Sequence, residues 1–462
     1  MFNKKTAKKG LKIIIIGAGK VGTSLTEHLC LEGHDITVID KNEARVNNLS
    51  ERYDVMGLIG NGASYKMLQE AGIEHTDLVI AVTDYDELNL LCCTIAKRVG
   101  ECAVIARVRS PEYSEEVAYL RDKLGLAMII NPDHETAKEI SRILRLPNAL
   151  GVNSFAHGHA EMIRFRIPDD SPLDGQKLMA IGRNITNEIL ICAVEREKQI
   201  FIPDGAFALK KGDMISFVAD PKAVKDFFNK IGIRTQQVKN CMIIGGGRAA
   251  YYLAKELLSH GVEVKIIEQR RERCQELYEL LPEAITICGN GSDEDLLDEE
   301  GIAYMEAVVP LTGFDEENIF LTLHAGEVSN AKVVTKIKRN TFHNVIDKMD
   351  LGSVIYPKYV TTEAIVAYVR GKAASKDINN VETLYHMFES RVEALEFKVD
   401  RPSKVTDVLL KDLKRKDNLL VACILRKSKV IIPGGFDSIQ VGDSVIVVTT
   451  HQGLTSLDEI LK

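Results

Sequence analysis

The stretch with the clearest chemical potential is a glycine turn, GAGKVG at 17–22, which follows the apolar run KIIII and opens a helix-like segment. Gly17 permits the tight turn. Gly19 lets backbone approach a diphosphate with no Cβ in the way, and Gly22 lets the helix pack closely on the strand. Ala18, Lys20 and Val21 complete the loop, and the helix start offers unpaired N–H groups to phosphate. Lys20 either touches that phosphate or is a solvated helix start. Asp40 closes the next β-like run, DITVID. A carboxylate there accepts hydrogen bonds from both ribose hydroxyls and repels a 2′-phosphate, favouring NAD-type or adenosine ligands over NADP. Thr83 and Asp84 follow the run LVIAV, and Arg107 ends VIARV, so both fall where loops line a crevice. Arg107 suits either a ligand phosphate or a carboxylate of a neighbouring subunit.

The same pattern recurs. IIGGGRAA at 243–250 repeats the strand and turn with Gly245, Gly246, Gly247, Arg248 and Ala249, and Glu268 stands where Asp40 does, both at an offset of 228. Asn61 in GNGAS matches Asn290 in GNGSD, Thr83 matches Thr312, and Arg107 matches Lys336, all at 229. Pro203 matches Pro433 and Gly212-Asp213 matches Gly442-Asp443, at 230. Such slow drift over a domain-sized period indicates a duplication and not a solenoid. The copies differ at Ala250, which replaces Gly22, and at Pro310, which replaces Ala81 and predicts an early strand end. The second copy is therefore either a second nucleotide site or a decayed copy kept for assembly. Asp86, Glu87 and Asn89 recur as Asp315, Glu316 and Asn318. First-turn helix placement explains the carboxylates through the dipole, but not the repeated Asn.

Each half changes texture once. Residues 11–130 alternate β-branched runs with helical stretches, which predicts a βαβ series and a parallel sheet covered on both faces. A longer helix follows at NPDHETAKEISRILRLP. From about residue 160 the period becomes two, with Asp-Gly and Gly-Asp turns, which predicts a small β-rich domain of about 70 residues. The expected fold class is α/β: two Rossmann-like doubly wound parallel-sheet domains alternating with two small β-rich α+β domains. The expected boundaries are 1–148, 149–232, 233–378 and 379–462, with the polar segment 233–239 joining the halves.

Composition excludes several classes. The chain of 462 residues carries a net charge of -7, so no global basic field invites nucleic acid. KDLKRKDN at 411–418 is the best basic stretch and reads as a solvated face. Nine cysteines without a CxxC pair argue for reduced thiols and not disulfides or zinc. His157 and His159, two apart in FAHGHAEM, would share one face of a strand, but the phrase supplies no third metal ligand. No metal and no catalytic residue is expected. The basic start, with Lys4, Lys5, Lys8, Lys9 and Lys12, reads as a solvated tail or as weak attraction to an anionic membrane surface, and it lacks a signal-peptide apolar region. No apolar stretch approaches the roughly 18–20 residues needed to span a bilayer, so any membrane link is expected to run through a partner.

GAGKVG, then ID, GNGAS, AVTDYDELN and IARVRSPEY together resemble the RCK (also called KTN) nucleotide-binding domain. The segments with IPDG and KKGDMISFVAD, and with IIPGG and QVGDSVIVV, are similar to the C-terminal domain of that family. The order N–C–N–C over nearly the whole chain resembles the TrkA-like regulators of Trk-type potassium uptake. The resemblance implies a cytosolic regulatory subunit, peripheral at the inner face of the cell membrane, and not an enzyme. It implies NAD(H) as ligand, with ATP or ADP as alternatives, and a nucleotide site at Gly17, Ala18, Gly19, Lys20, Val21, Asp40, Thr83, Asp84 and Arg107. Asn61 stands where the family often has aspartate, and an Asn there offers an adenine edge hydrogen bonds without charge. The implied partners are an integral-membrane potassium-translocating subunit of the TrkH/TrkG type and further copies of the chain, in a homo-oligomeric ring that is a tetramer or a dimer of dimers. The competing class, an NAD-dependent oxidoreductase, needs an acid–base residue beside the nicotinamide, and no His or Lys of the small β-rich domains stands out in both copies.

Overall fold

A computed structural model describes residues 10–114, 116–146, 148–233, 237–339, 343–346, 348–349, 351–373, 381–388 and 390–462. Lys4, Lys5, Lys8 and Lys9, and the middle of the 233–239 segment, lie outside the described residues. The chain forms two compact units, one running to Glu135 and including Pro357–Val366, the other comprising Thr136–Tyr356 and Ala367–Lys462.

The isoleucine run becomes β1 (Lys12–Ile16), whose last four residues are all buried because helices cover both faces of a parallel sheet. It pairs in parallel with β2 (Asp35–Asp40) and β4 (Leu78–Ala81), which in turn pair with β3 (Met56–Ile59) and β5 (Ala103–Arg107); β6 (Met128–Ile130) closes the edge. The order β3-β2-β1-β4-β5-β6 reverses direction between β1 and β4, which opens a crevice at the carboxyl ends of the strands.

Four further strands in the first small domain follow β7 (Gly151–Phe155): β8 (Ala160–Arg166), β9 (Ile189–Arg196), β10 (Gln199–Phe201) and β11 (Met214–Ala219), antiparallel in the order β10-β9-β11-β8-β7. His157 and His159 lie in the hairpin turn between β7 and β8, not on a strand, because the chain reverses there through a short 3-10 turn at Ala156–Gly158. The His157 side chain lies outside the described residues.

The second half repeats the order with β12 (Asn240–Ile244), β13 (Glu263–Glu268), β14 (Ile285–Cys288), β15 (Ala307–Pro310), β16 (Lys332–Lys336) and β17 (Ser353–Ile355), giving β14-β13-β12-β15-β16-β17. Pro310 does not end its strand early, since β15 keeps the four residues of β4 and Pro310 still pairs with Ile244. The change falls on the other edge. β15 has two paired positions with β16 where β4 has four with β5, as expected of a residue with no N–H to donate. The last sheet holds β18 (Val381–Met387), β19 (Val392–Lys398), β20 (Leu419–Arg426), β21 (Lys429–Ile431) and β22 (Ser444–Thr449), in the order β18-β19-β22-β20-β21. The basic stretch 411–418 forms turns and a bridge, not a helix.

The central strands β11 and β22 are buried on both faces, where alternation alone predicts one apolar face. On one face of the first small sheet, Phe165 and Phe217 meet Phe228 and Phe227 of the helix Pro221–Lys230, with ring centroids 5.1 Å apart in both pairs. The other face, with Ala160, Met162, Cys192 and Val218, shares one buried cluster with Met387, Val392, Ala394, Cys423 and Val448 of the second small sheet. Phe155 meets Tyr385 edge-on at 5.0 Å across that boundary, and Glu396 accepts a bond from the Ala156 N–H at 3.1 Å. Asp213, a turn residue in the sequence reading, is buried and takes Arg196 by two bonds of 2.7 Å. Asp443 takes Arg426 in the same way at 2.8 Å.

The last turn of the helix Pro357–Ala373 is held to β19 by a buried ion pair. Arg370 bonds both oxygens of Glu393 at 2.8 and 2.9 Å, and His386 Nε2 lies 3.5 Å from Glu393 Oε1. Burial pushes the Glu393 carboxyl up, but bonds from His386 and Arg370 outweigh it and hold the group down to about 2. A depressed carboxyl stabilises the fold above its unfolded value near 4.5, and that stability is lost as pH falls towards about 2. Glu393→Gln should cost about 3–5 kcal/mol in urea denaturation at neutral pH by stranding a buried guanidinium, and should flatten the acid limb of stability against pH. Phe155→Ala should cost about 3–5 kcal/mol. Hydrogen exchange should then rise in β20 and β22 of the other half as well as in β7; a rise confined to β7 would contradict a shared core.

Candidate nucleotide crevice

The crevice of the first sheet is built by backbone. Gly17 sits at φ +109°, and its N–H bonds Ile39 O at 2.8 Å, tying the turn to β2. A Cβ there would lie 2.9 Å from Thr83 N, and one on Gly22 would lie 1.8 Å from Gly17 O. Both glycines are thus required by the fold. Gly19 is different. It caps the helix Lys20–Leu31 in ordinary extended geometry, and a Cβ on it would meet nothing within 4 Å. The chain itself gives no reason for that glycine, and the space above it is a cradle that a side chain would fill.

Asp40 stands beside the turn. Its Oδ2 accepts the Ala18 N–H at 2.6 Å and its Oδ1 the Asn42 N–H at 2.8 Å. A carboxylate has about four acceptor positions, so two remain for hydroxyl donors. Asn61 joins this edge through Gly60, whose N–H bonds Asp40 O at 2.9 Å. The Asn61 Oδ1 accepts the Ala63 N–H at 3.2 Å, so the residue builds its own turn, as Asn290 does with Ser292 at 3.1 Å.

Across the switch point, Asn89 organises the other wall. It is fully buried; its Oδ1 accepts the Thr83 N–H at 2.8 Å and the Thr83 hydroxyl at 2.7 Å. Its Nδ2 donates to Thr83 O at 3.1 Å and to Arg107 O at 2.9 Å. Asn318 repeats this with Thr312 and Lys336, both at 2.9 Å. The recurring Asn is therefore a tie between the loop after β4 and the end of β5, a role that only its repetition hinted at. Asp86 is not simply a first-turn carboxylate. It is buried, and its Oδ2 accepts the N–H groups of Arg109 and Ser110 at 2.8 and 2.7 Å. Asp315 does the same for Lys338 and Arg339.

Arg107 is buried to 7 % exposure, donates to Thr83 O, and pairs at 3.2 Å with Asp84, whose side chain is exposed. Its Nε has no partner. Burial first, then the nearby Arg109, depress the guanidinium below its ordinary value, against the pull of Asp84. An incompletely paired buried cation at the carboxyl end of a strand fits an anion. Lys20 is exposed at the helix start, and Val21 is buried under it.

The second crevice keeps the turn despite Ala250: Gly245 is at φ +103°, Gly247 caps the helix Arg248–Ser259 with an open Cβ position, and Ala249 is buried. Arg248 is exposed, as Lys20 is. The acid differs. Glu268 Oε2 accepts the Gly246 N–H at 2.8 Å, while Oε1 takes both the N–H and the Nε of Arg270, at 2.9 and 3.0 Å. Burial pushes the Glu268 carboxyl up, but these bonds outweigh it and hold it below its usual range. Three of about four acceptor positions are spent, against two on Asp40. Arg270 was not legible as a site residue, because its counterpart is Asn42 and the repeat does not flag it. Lys336 is buried and donates to Leu311 O at 2.6 Å.

The TrkA-N domain matches residues 13–132 and again 241–357, and the TrkA-C domain matches 162–232 and 394–462. A Trk system potassium uptake protein TrkA homolog of Methanosarcina mazei is 29% identical over 460 residues, covering 98% of this chain and all of its own. The Trk system potassium uptake protein TrkA of Haemophilus influenzae is 30% identical over 441 residues, 95% of each chain. Among solved structures, the GsuK channel bound to NAD superposes with a TM-score of 0.62 at 16% identity, over 97% of this chain and 78% of that one, a likeness of fold. Two matched N–C pairs spanning most of the sequence mean that this chain belongs to the TrkA family of tandem TrkA-N and TrkA-C domains.

Proposed function

We propose that the chain is the nucleotide-sensing regulatory subunit of a Trk-type potassium uptake system, with NAD(H) bound in the first crevice. The observation that carries the reading is the conjunction at one switch point of a bare Gly19, a ribose-side Asp40 with acceptor positions left, and a buried Arg107 with an unpaired Nε. Gly17, Ala18, Gly19, Lys20 and Val21 would hold the diphosphate, Asp40 the adenosine ribose, Asn61 the adenine edge, and Thr83, Asp84 and Arg107 the far wall. The full-length relatives named for Trk potassium uptake, and the NAD-bound channel of like fold, support it. ATP or ADP would compete for the same diphosphate cradle.

The role is regulatory and not catalytic. Asp40 and Asp86 spend oxygens on backbone N–H groups, which is a positioning duty. Potassium passage, in this reading, belongs to a separate membrane subunit of the TrkH/TrkG type, which the relatives named for Trk potassium uptake support. Gating requires that the ligand bind two shapes of a homo-oligomeric ring, a tetramer or dimer of dimers, with different affinity. Four domains bounded at 148, 232 and 378 give each chain two nucleotide-type lobes. The second, at Gly245, Gly246, Gly247, Arg248, Ala249, Glu268 and Asn290, binds more weakly because Arg270 already occupies its acid.

Calorimetric titration with NADH tests the assignment. Gly19→Val should abolish the strong site without lowering thermal stability, whereas Gly247→Val should leave that site intact. Retained binding in Gly19→Val would reduce the turn to a packing feature. Asp40→Arg removes the ribose acceptor, a charge-assisted contact of about 1.5–3 kcal/mol, and should weaken NADH by roughly 10- to 100-fold. Unchanged affinity would remove Asp40 from the site.

A further inference from the structure

Of nine cysteines, Cys288 is exposed, Cys30 is half-buried, and the other seven are buried. Cys288 ends β14, in register with Glu268 of β13. Cys274, in the first turns of the helix Arg271–Leu280, donates its thiol to Glu268 O at 3.1 Å. The same carbonyl takes the N–H of Gly289, the residue after Cys288, at 3.0 Å. The two cysteines therefore converge on one peptide group from a helix and a strand. In the first half the corresponding positions are Val46, which is buried, and Ile59, which is exposed, so both thiols are peculiar to the second copy and arise at adjoining places.

We propose that Cys274 and Cys288 form a reversible thiol–disulfide modification site that reacts with low-molecular-weight disulfides. The exposed Cys288 thiolate attacks one sulfur of the small disulfide, forming a mixed disulfide and expelling one thiolate. Cys274 then gives its proton to solvent and attacks the Cys288 sulfur, expelling the second thiolate. Two protein thiols are oxidised by two electrons, and one small disulfide is reduced to two thiols. The order follows from exposure. Burial, and then the neighbouring Cys288, push the Cys274 thiol up to about 12, so it resolves the mixed disulfide and does not start the reaction. The ring closed is short, and its formation removes the S–H that Cys274 donates to Glu268 O. Oxidation thereby ties the helix Arg271–Leu280 to β14 at the foot of the acid of the second crevice.

The test treats the folded full-length chain with oxidised glutathione, followed by intact mass and a non-reducing peptide map. The expected product is two hydrogens lighter, with one Cys274–Cys288 link that reduced glutathione reverses. Cys274→Ser should stop at a glutathione adduct on Cys288, and Cys288→Ser should react at neither position. A wild-type chain that keeps the adduct, links to a second chain, or forms the bond only in urea would overturn the proposal. None of these readouts depends on nucleotide binding.

Discussion

The two small sheets share an apolar core, and much of the molecule's organisation follows from that. A sheet of five short strands has two faces, and in the first small domain the helix Pro221–Lys230 covers one of them. The face of Met162, Cys192 and Val218 is buried against Val392, Cys423 and Val448 of the sister domain. A domain of about 70 residues has little core to spare, so losing one covered face is a large fraction of its stability. The halves of the duplication are thus joined through their smaller parts, and Arg391 of the second pairs with Glu195 of the first.

Once the halves are joined, the two crevices are free to differ, and the differences are mutually adjusted. Glu268 is one methylene longer than Asp40. Gly246 replaces Ala18, and a Cβ on Gly246 would lie 2.9 Å from the Glu268 Cβ and 2.6 Å from Leu277. The space given up by the turn is taken by the acid, which still reaches the same backbone N–H. What has changed is the neighbour: Arg270 fills acceptor positions that Asp40 leaves open. The second copy is therefore not a decayed turn but an intact turn with an occupied acid.

The parallel sheets were legible because buried parallel strands are written as unbroken β-branched runs, and because Gly17, Asp40 and their counterparts recur at a fixed spacing. The small sheets were legible by period, but not in their contacts, since alternation says that a face is apolar and not what covers it. Asn89 showed only as an unexplained recurrence; its function lies in four bonds to residues 6 and 18 positions away. The Arg196–Asp213 clamp was half visible, as a turn with no hint of its partner. Pro310 was read as a strand terminator, because a missing N–H is obvious in sequence while the edge it faces is a property of the sheet. Arg270 and the Cys274–Cys288 pair left no repeated trace, being features of one copy alone.

Asn89 has a mechanical consequence. One buried amide bonds directly to both the loop that leaves β4 and the carboxyl end of β5. The two walls on that side of the switch point are thereby tied twice, by the Asn89 amide and by the Arg107 bond to Thr83 O. β1 and β4 are joined as well, through the parallel ladder and the Val82 N–H that bonds Ile16 O at 2.8 Å, so the glycine turn and the Thr83 loop share one backbone frame.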